Sequence, residues 1–429
     1  MFQTLYLDYL FFTGYLFLFA WLITRIKLFN QSGLSNTQLI ILFLLKIITG
    51  IFYGWVGIYY GYFAYMYDTW GYHNFSIKEY QLLFTDPGEY LTNLFISHYE
   101  SGYGRFFAST DSYWNDLKMN IFIKLLSVFN IFSRGNYYIN VVFYSFFTLM
   151  GPVLIYRVMM DIFPEKKIPV LLATFLIPSF LYWSSGIHKD GMVVTALGVI
   201  AYHFYFGLKN KKLNLKRWAY IILGALILLA MRNYVLIILT PALVAWYISA
   251  KRQRKMLGIF AATYIVAAIL FFTLRYISPS LDLPKAVADK QKAFMQLEGG
   301  SGIEVNELKP QFTSFIQNAP QAIVNAMLRP FPSDVKHILS MGVAVETAFL
   351  FFLFLLFVFL RDKSNNQGRP FLFFCFFLSI SLLITIGYTV NFLGAIVRYR
   401  SIIIPFLIVP IAARIDWKRI KDLIFNNIK

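Results

Sequence analysis

Apolar runs separated by short polar connections cover this chain almost from end to end. Most are close to the roughly 17–25 residues an α-helix needs to cross the hydrocarbon core of a bilayer. The pattern predicts eleven spans, at about 9–26, 38–62, 138–160, 167–183, 191–208, 217–231, 234–250, 257–276, 344–361, 369–389 and 398–414. The sixth and seventh are short enough to form one broken or re-entrant pair around Arg232-Asn233. Two stretches between spans are long. Residues 63–137 contain the aromatic-rich, mildly amphipathic segments YLTNLFISHY and MNIFIKLLSVFNIF, which are expected to lie along a membrane interface. Residues 277–343 carry a polar helix-like piece (KAVADKQKAFMQLE), a GGSG sequence at 299–302 and a second piece ending in MLRPFPSD. Loops of this length in a compact protein are more often functional than idle.

Composition turns this pattern into a class. Charged residues make up 14% of the chain and hydrophobic ones 58%, where a soluble protein carries about 25% charged. The fold class expected is an all-α polytopic membrane protein, residues 1–429 forming one integral membrane domain. The first apolar run lacks a positively charged leader and a small-residue cleavage site, so it reads as a retained helix. The single cysteine, Cys375, excludes an intrachain disulfide and a cysteine-based metal cluster.

The net charge of +18 is unevenly spread. The connections near residues 25, 165, 210, 253 and 365, with the C-terminal tail, hold 22 Lys and Arg against five acids. By the excess of Lys and Arg in cytoplasmic loops, that side is expected to be cytoplasmic, with the N-terminus outside and the C-terminus inside. The basic excess is then a signal of topology and anionic lipid, not of nucleic acid.

Against that tendency, several cations sit at outer span ends: Lys189, Arg232, Arg329, Arg398 and Arg400. A guanidinium offers a planar fork of donors suited to phosphate oxygens, and a lipid-linked diphosphate presents such oxygens at this depth. Snorkelling, or pairing with acids such as Asp190 and Glu346, is the plainer account of any one of them. Lys189 and Asp190 belong to a polar turn, Trp183-Ser-Ser-Gly-Ile-His-Lys-Asp-Gly191, wedged between two apolar runs. Asp68 follows the second span directly, with His73 five residues on; Asp111 and Asp116 lie in STDSYWNDLK. Asp68 or His188 is the candidate general base for a sugar hydroxyl. For Asp116 the reading is a helix cap or a solvated loop acid. No two of the five histidines have the spacing of a zinc motif. Magnesium or manganese on carboxylates such as Asp68 and Asp111 stays open. Neither GxGxxG nor GxxxxGK[ST] occurs, which argues against a recognisable nucleotide-binding module.

PSFLYWSSGIHKDG at 178–191, MRNY at 231–234, LRPFPSD at 328–334 and GAIVRYRSIIIP at 394–405 together carry a resemblance. The chain resembles polytopic proteins of bacterial envelope-polysaccharide assembly, the group spanning GT-C-type glycosyltransferases and O-antigen polymerase-like proteins. The resemblance implies glycosyl transfer or polymerisation at the outer face of the cytoplasmic membrane, from a polyprenyl-phosphate- or diphosphate-linked saccharide to a saccharide acceptor. Asp68 would correspond to the first-loop aspartate that serves as base, and the outer arginines to those engaging polyprenyl diphosphate. The chain departs from the pattern in having no DxD or [DE]E after Asp68 and in its expected outer N-terminus. The alternatives are a transporter or flippase of lipid-linked saccharide and a non-enzymatic membrane assembly protein.

Overall fold

In the computed structural model, residues 6–60, 67–95, 113–252, 255–362 and 368–425 are described, and among them every named element is a helix. In chain order the principal ones are α1 (Tyr6–Arg25), α2 (Asn36–Tyr59), α3 (Tyr67–Thr85), α4 (Tyr113–Ser133), α5 (Tyr137–Ile162), α6 (Lys167–Phe175), α7 (Pro178–Ser185) and α8 (Lys189–Lys209). They continue as α9 (Leu215–Arg252), α10 (Met256–Ile277), α11 (Leu283–Met295), α12 (Phe312–Leu328) and α13 (Ile338–Phe359). The last four are α14 (Arg369–Thr389), α15 (Leu393–Ser401), α16 (Ile404–Ala413) and α17 (Trp417–Phe425). Eight described helices are long and apolar enough to cross a membrane, or up to ten if each of two bent pairs is one span. The protein is an all-α polytopic membrane protein.

Local chemistry sets several of these boundaries. Ser35 and Gln38 form a reciprocal capping box at the start of α2, and the Asn136 side chain accepts from the backbone N–H of Tyr138 and Ile139 at the start of α5. The sequence predicts single spans at 167–183 and 398–414, but each is broken. α6 and α7 meet at 49°, α15 and α16 at 66°. Pro178 and Pro405 permit the breaks: each lacks a backbone N–H and begins a new helix in its first turn.

The two short spans expected at 217–231 and 234–250 are the arms of α9, which leaves helical geometry at Arg232 (φ −149°, ψ 78°). Both arms lie along α8, in opposite directions. In the first arm Tyr220 stacks on His203 and Arg217 donates to the His203 carbonyl. In the second, Trp246 packs on Phe204. Arg232, between them, reaches Asp190 at the other end of α8. The chain therefore reverses at Arg232.

α5 and α8 form the centre of the bundle. They cross so closely that a Cβ on Gly151 would lie 2.6 Å from the Thr195 Cα, and one on Gly198 2.5 Å from the Gly151 carbonyl oxygen. Small residues at such a crossing allow backbone-to-backbone packing where lipid supplies no hydrophobic drive. The crossing fixes the height of α8 and hence of the residues at its N-terminus.

The ends of the bundle differ. At one, Asp161 accepts from Tyr205 and Lys209, Lys166 pairs with Asp362, and Asp362 N–H donates to the Arg414 carbonyl. These are the basic connections. At the other, α3 and α4 pack as a pair through Lys124–Glu79, Asn130–Ser76 and Tyr72–Phe122. There, too, residues 301–303 pair with 391–393: Ile303 N–H donates to the Asn391 carbonyl and Leu393 N–H to the Ser301 carbonyl. Both long stretches predicted between spans thus contribute ordered helices on the side away from the basic connections.

Candidate functional site

Five of the singled-out residues meet at this second end. α8 begins directly after the turn, with His188 as its N-cap and Asp190 in its first turn, where a helix dipole favours a carboxylate. Asp190 is 1% exposed. Arg232, at the reversal in α9, donates through Nε to Asp190 Oδ1 at 2.8 Å, and its Nη2 reaches the same oxygen. Arg398, from α15, donates through Nε to Asp190 Oδ2 at 2.9 Å. His188 Nδ1 lies 2.9 Å from that oxygen. One buried carboxylate therefore holds two guanidinium groups and an imidazole.

Asp68 closes the cluster on the outside. It stands in the first turn of α3, which is pinned by the Thr69–Tyr137 hydroxyl bond (2.8 Å), by Trp70 Nε1–H donating to the Gly54 carbonyl (2.9 Å) and by Trp70 stacking on Tyr137 (4.1 Å). Asp68 Oδ2 accepts from Arg398 Nη1 at 2.9 Å and lies 3.4 Å from His188 Nε2. Arg398 Nη2 also contacts the His188 ring. Hydrogen bonding to His188, reinforced by the Arg398 charge, outweighs burial and holds the Asp68 carboxyl well below the usual carboxylate range. In contrast to Asp190, its side chain is 52% exposed.

Aromatic rings line the cluster. Arg232 lies over Tyr399 (4.2 Å) and donates to the Tyr234 hydroxyl (3.1 Å). Arg398 lies over Trp183 (5.5 Å) and Tyr399 (5.8 Å), and the Lys189 ammonium sits over Tyr72 (4.9 Å). Beneath the turn, Lys46 projects from α2 and donates to the Ser184 carbonyl and to the hydroxyls of Ser184 (3.4 Å) and Ser185 (3.5 Å). These are the last residues of α7, so the ammonium caps the negative end of that helix. Gly191 is needed here: a Cβ would fall 2.6 Å from the Tyr144 hydroxyl and 2.7 Å from the Ser184 carbonyl oxygen.

Arg329 and Arg400 stand apart from this convergence. Arg400 is two residues from Arg398 on α15, about 200° around a helix, so the two side chains leave on opposite sides. Its guanidinium caps the C-terminal end of α12, donating to the carbonyls of Ala326 (3.3 Å) and Arg329 (2.6 Å), and also donates to the Thr347 hydroxyl. Arg329 pairs with Asp334 at 3.1 Å. Glu346 accepts from the Ser179 N–H (2.6 Å) and hydroxyl (2.5 Å) and so caps α7. His73 packs edge-on against Tyr137, with burial lowering its imidazole to about 4. Asp111 lies outside the described residues, as does the side chain of Asp116. Among the described residues no three His, Cys, Asp or Glu side chains come together as a metal site.

Of the rings around the cluster, Trp183, Tyr234 and Tyr399 lie in motifs named above without being marked as lining a site, and Tyr72 and Tyr144 were not singled out at all. In a chain with 29 tyrosines and 46 phenylalanines, individual rings carry no signal. Lys46 did carry one, as the lone charge inside an apolar span.

Fold and site together define a polytopic membrane protein with a charged, aromatic-rimmed cluster at the end of the bundle opposite its basic connections. Comparison with protein-family models, with curated proteins and with solved structures gives no match.

Proposed function

We propose that the protein transfers a glycosyl group at the outer face of the bacterial cytoplasmic membrane, from a polyprenyl-phosphate- or diphosphate-linked saccharide to a saccharide acceptor. The observation that carries this reading is the meeting of Arg232 and Arg398 on one buried carboxylate, beside the exposed carboxylate of Asp68. Asp190 holds the guanidinium groups at fixed positions, so they need little reorganisation to stabilise charge developing on a phosphate leaving group. Lys189 adds a cation at the same end of α8. The acceptor hydroxyl oxygen attacks the anomeric carbon and the carbon–oxygen bond to phosphate breaks. The leaving phosphate keeps the electron pair, and Asp68 or His188 takes the hydroxyl proton. The rings of Trp183, Tyr72 and Tyr399 suit the apolar faces of a sugar.

Orientation is tested first. With Cys375 replaced, a cysteine at Gly300 should react with an impermeant thiol reagent in intact cells, and one at Asn210 should not. Both positions are exposed at opposite ends of the bundle. Labelling at Asn210 from outside would place the cluster in the cytoplasm and remove this reading.

The chemistry is tested at Arg398. Lysine keeps the charge but cannot hold Asp190 and Asp68 through one rigid fork. Arg398→Lys should lower turnover about ten- to a hundredfold, the cost of one charge-assisted hydrogen bond. The assay is release of polyprenyl phosphate from a labelled sugar donor in proteoliposomes. A Lys variant as fast as wild type means the fork is not used.

The two bent spans favour a second reading, a transporter or flippase of lipid-linked saccharide, since broken helices often line substrate paths. Such a protein would move the labelled lipid across the vesicle membrane without releasing polyprenyl phosphate.

A further inference from the structure

Arg398 has two carboxylate partners, both at 2.9 Å, that differ in burial, in neighbours and in the helix that carries them. Asp190 is 1% exposed, sits at a helix N-terminus and is shared with Arg232 and His188. Taking it away from Arg398 would strand charge in the interior, which is strongly unfavourable. Asp68 is half exposed, bonds Arg398 through the other edge of the guanidinium, and belongs to a different helix. A carboxylate at that exposure regains water when it lets go, so its bond is the weaker of the two. The partners are therefore one fixed and one replaceable.

We infer that Asp68 occupies an anion seat on Arg398 in the resting protein and yields it to the phosphate oxygens of an incoming ligand. The replacement is chemically even: a phosphate oxygen accepts from Nη1 as a carboxylate oxygen does. Arg398 need not move, because Nε stays on Asp190 and the guanidinium keeps its contacts with the Trp183 and Tyr399 rings. Release also changes Asp68 itself. Freed from Arg398, it becomes a stronger proton acceptor, and it does so only when phosphate is seated. If the ligand is the glycosyl donor of the reading above, on which this last step rests, donor binding arms the base. A hydroxyl arriving without a donor meets a carboxylate already engaged.

The test is a binding measurement with an unusual expected sign. Farnesyl diphosphate and inorganic pyrophosphate are titrated calorimetrically into the purified full-length protein, into Asp68→Asn and into Asp68→Ala. Removing an internal competitor should tighten binding by about tenfold or more. Ala lacks the amide oxygen that Asn can still offer to Arg398, so its gain should be at least as large. A gain with both probes means that phosphate itself is read; a gain confined to the farnesyl probe means that the prenyl chain helps seat it. Equal or weaker binding by both folded variants overturns the exchange, as does no binding by any of the three proteins. The two proposals can also fail separately. A wild-type protein that turns over donor while its variants bind no tighter loses the exchange and keeps the transferase. Variants that bind tighter, from a wild type that releases no polyprenyl phosphate from any donor, keep the exchange and lose the transferase.

Discussion

Asp190→Asn is expected to cost about 3–5 kcal/mol of stability, the usual consequence of removing one partner from a buried ion pair. The amide is nearly isosteric, so packing is preserved and the loss is electrostatic. Without the carboxylate charge, Arg232 and Arg398 face each other with only the half-exposed Asp68 left to offset them. Two like charges would then share a desolvated site. Folding stabilities are commonly about 5–15 kcal/mol, so a loss of this size takes a large share of the total. The measurement is thermal unfolding of the purified protein in detergent, with monodispersity checked by gel filtration. An Asn variant as stable as wild type would mean that water, not Asp190, satisfies the arginines.

Asp68→Asn should behave in the opposite way, folding normally while losing turnover by about 10²–10⁴-fold, as removal of a general base does. Its exposure explains the difference in stability, because water replaces the bonds it gives up. The pH dependence carries a sign that can be checked. His188 and Arg398 hold the Asp68 carboxyl below the usual carboxylate range, so it is ionised throughout the neutral range and gains a proton only at more acidic pH. In kcat/KM, which reports the free protein, the acidic limb belonging to Asp68 should therefore lie below about 3.9, the value of an unperturbed aspartate. Wild-type turnover by the Asn variant would remove Asp68 from the mechanism, leaving His188 as the remaining candidate base.

The class of fold was legible because a bilayer imposes one length on every crossing helix, and runs of that length stand out in the sequence. The reversal at Arg232 was legible too, since two apolar arms each shorter than a full span flank Arg-Asn. The breaks before Pro178 and Pro405 were not, although both prolines were in view. A proline permits a helix to end, and only the packing of neighbouring helices decides whether it does. At the site, sequence marked the cations and named Asp190 among the acids that could pair with them, but not which cations meet on it. Arg398 is 208 residues from Asp190 and 330 from Asp68, and spacing over such lengths carries no information. The separation of Arg398 from Arg400 shows the same limit. Their two-residue offset places them on different faces, but which face meets the cluster follows from how α15 packs against its neighbours.

Lys46 bears on how the protein is made. Its partners on Ser184 lie 138 residues further along the chain. At about 5–20 residues per second, α2 would wait roughly 7–28 s during synthesis before those groups emerge. A lysine at the centre of a spanning helix raises the free energy of insertion by about 2.5–3.5 kcal/mol on translocon-based scales. Until α7 is made, the ammonium lacks the groups that satisfy it in the finished fold. The partners of this ammonium are thus supplied late, by a segment that is itself broken.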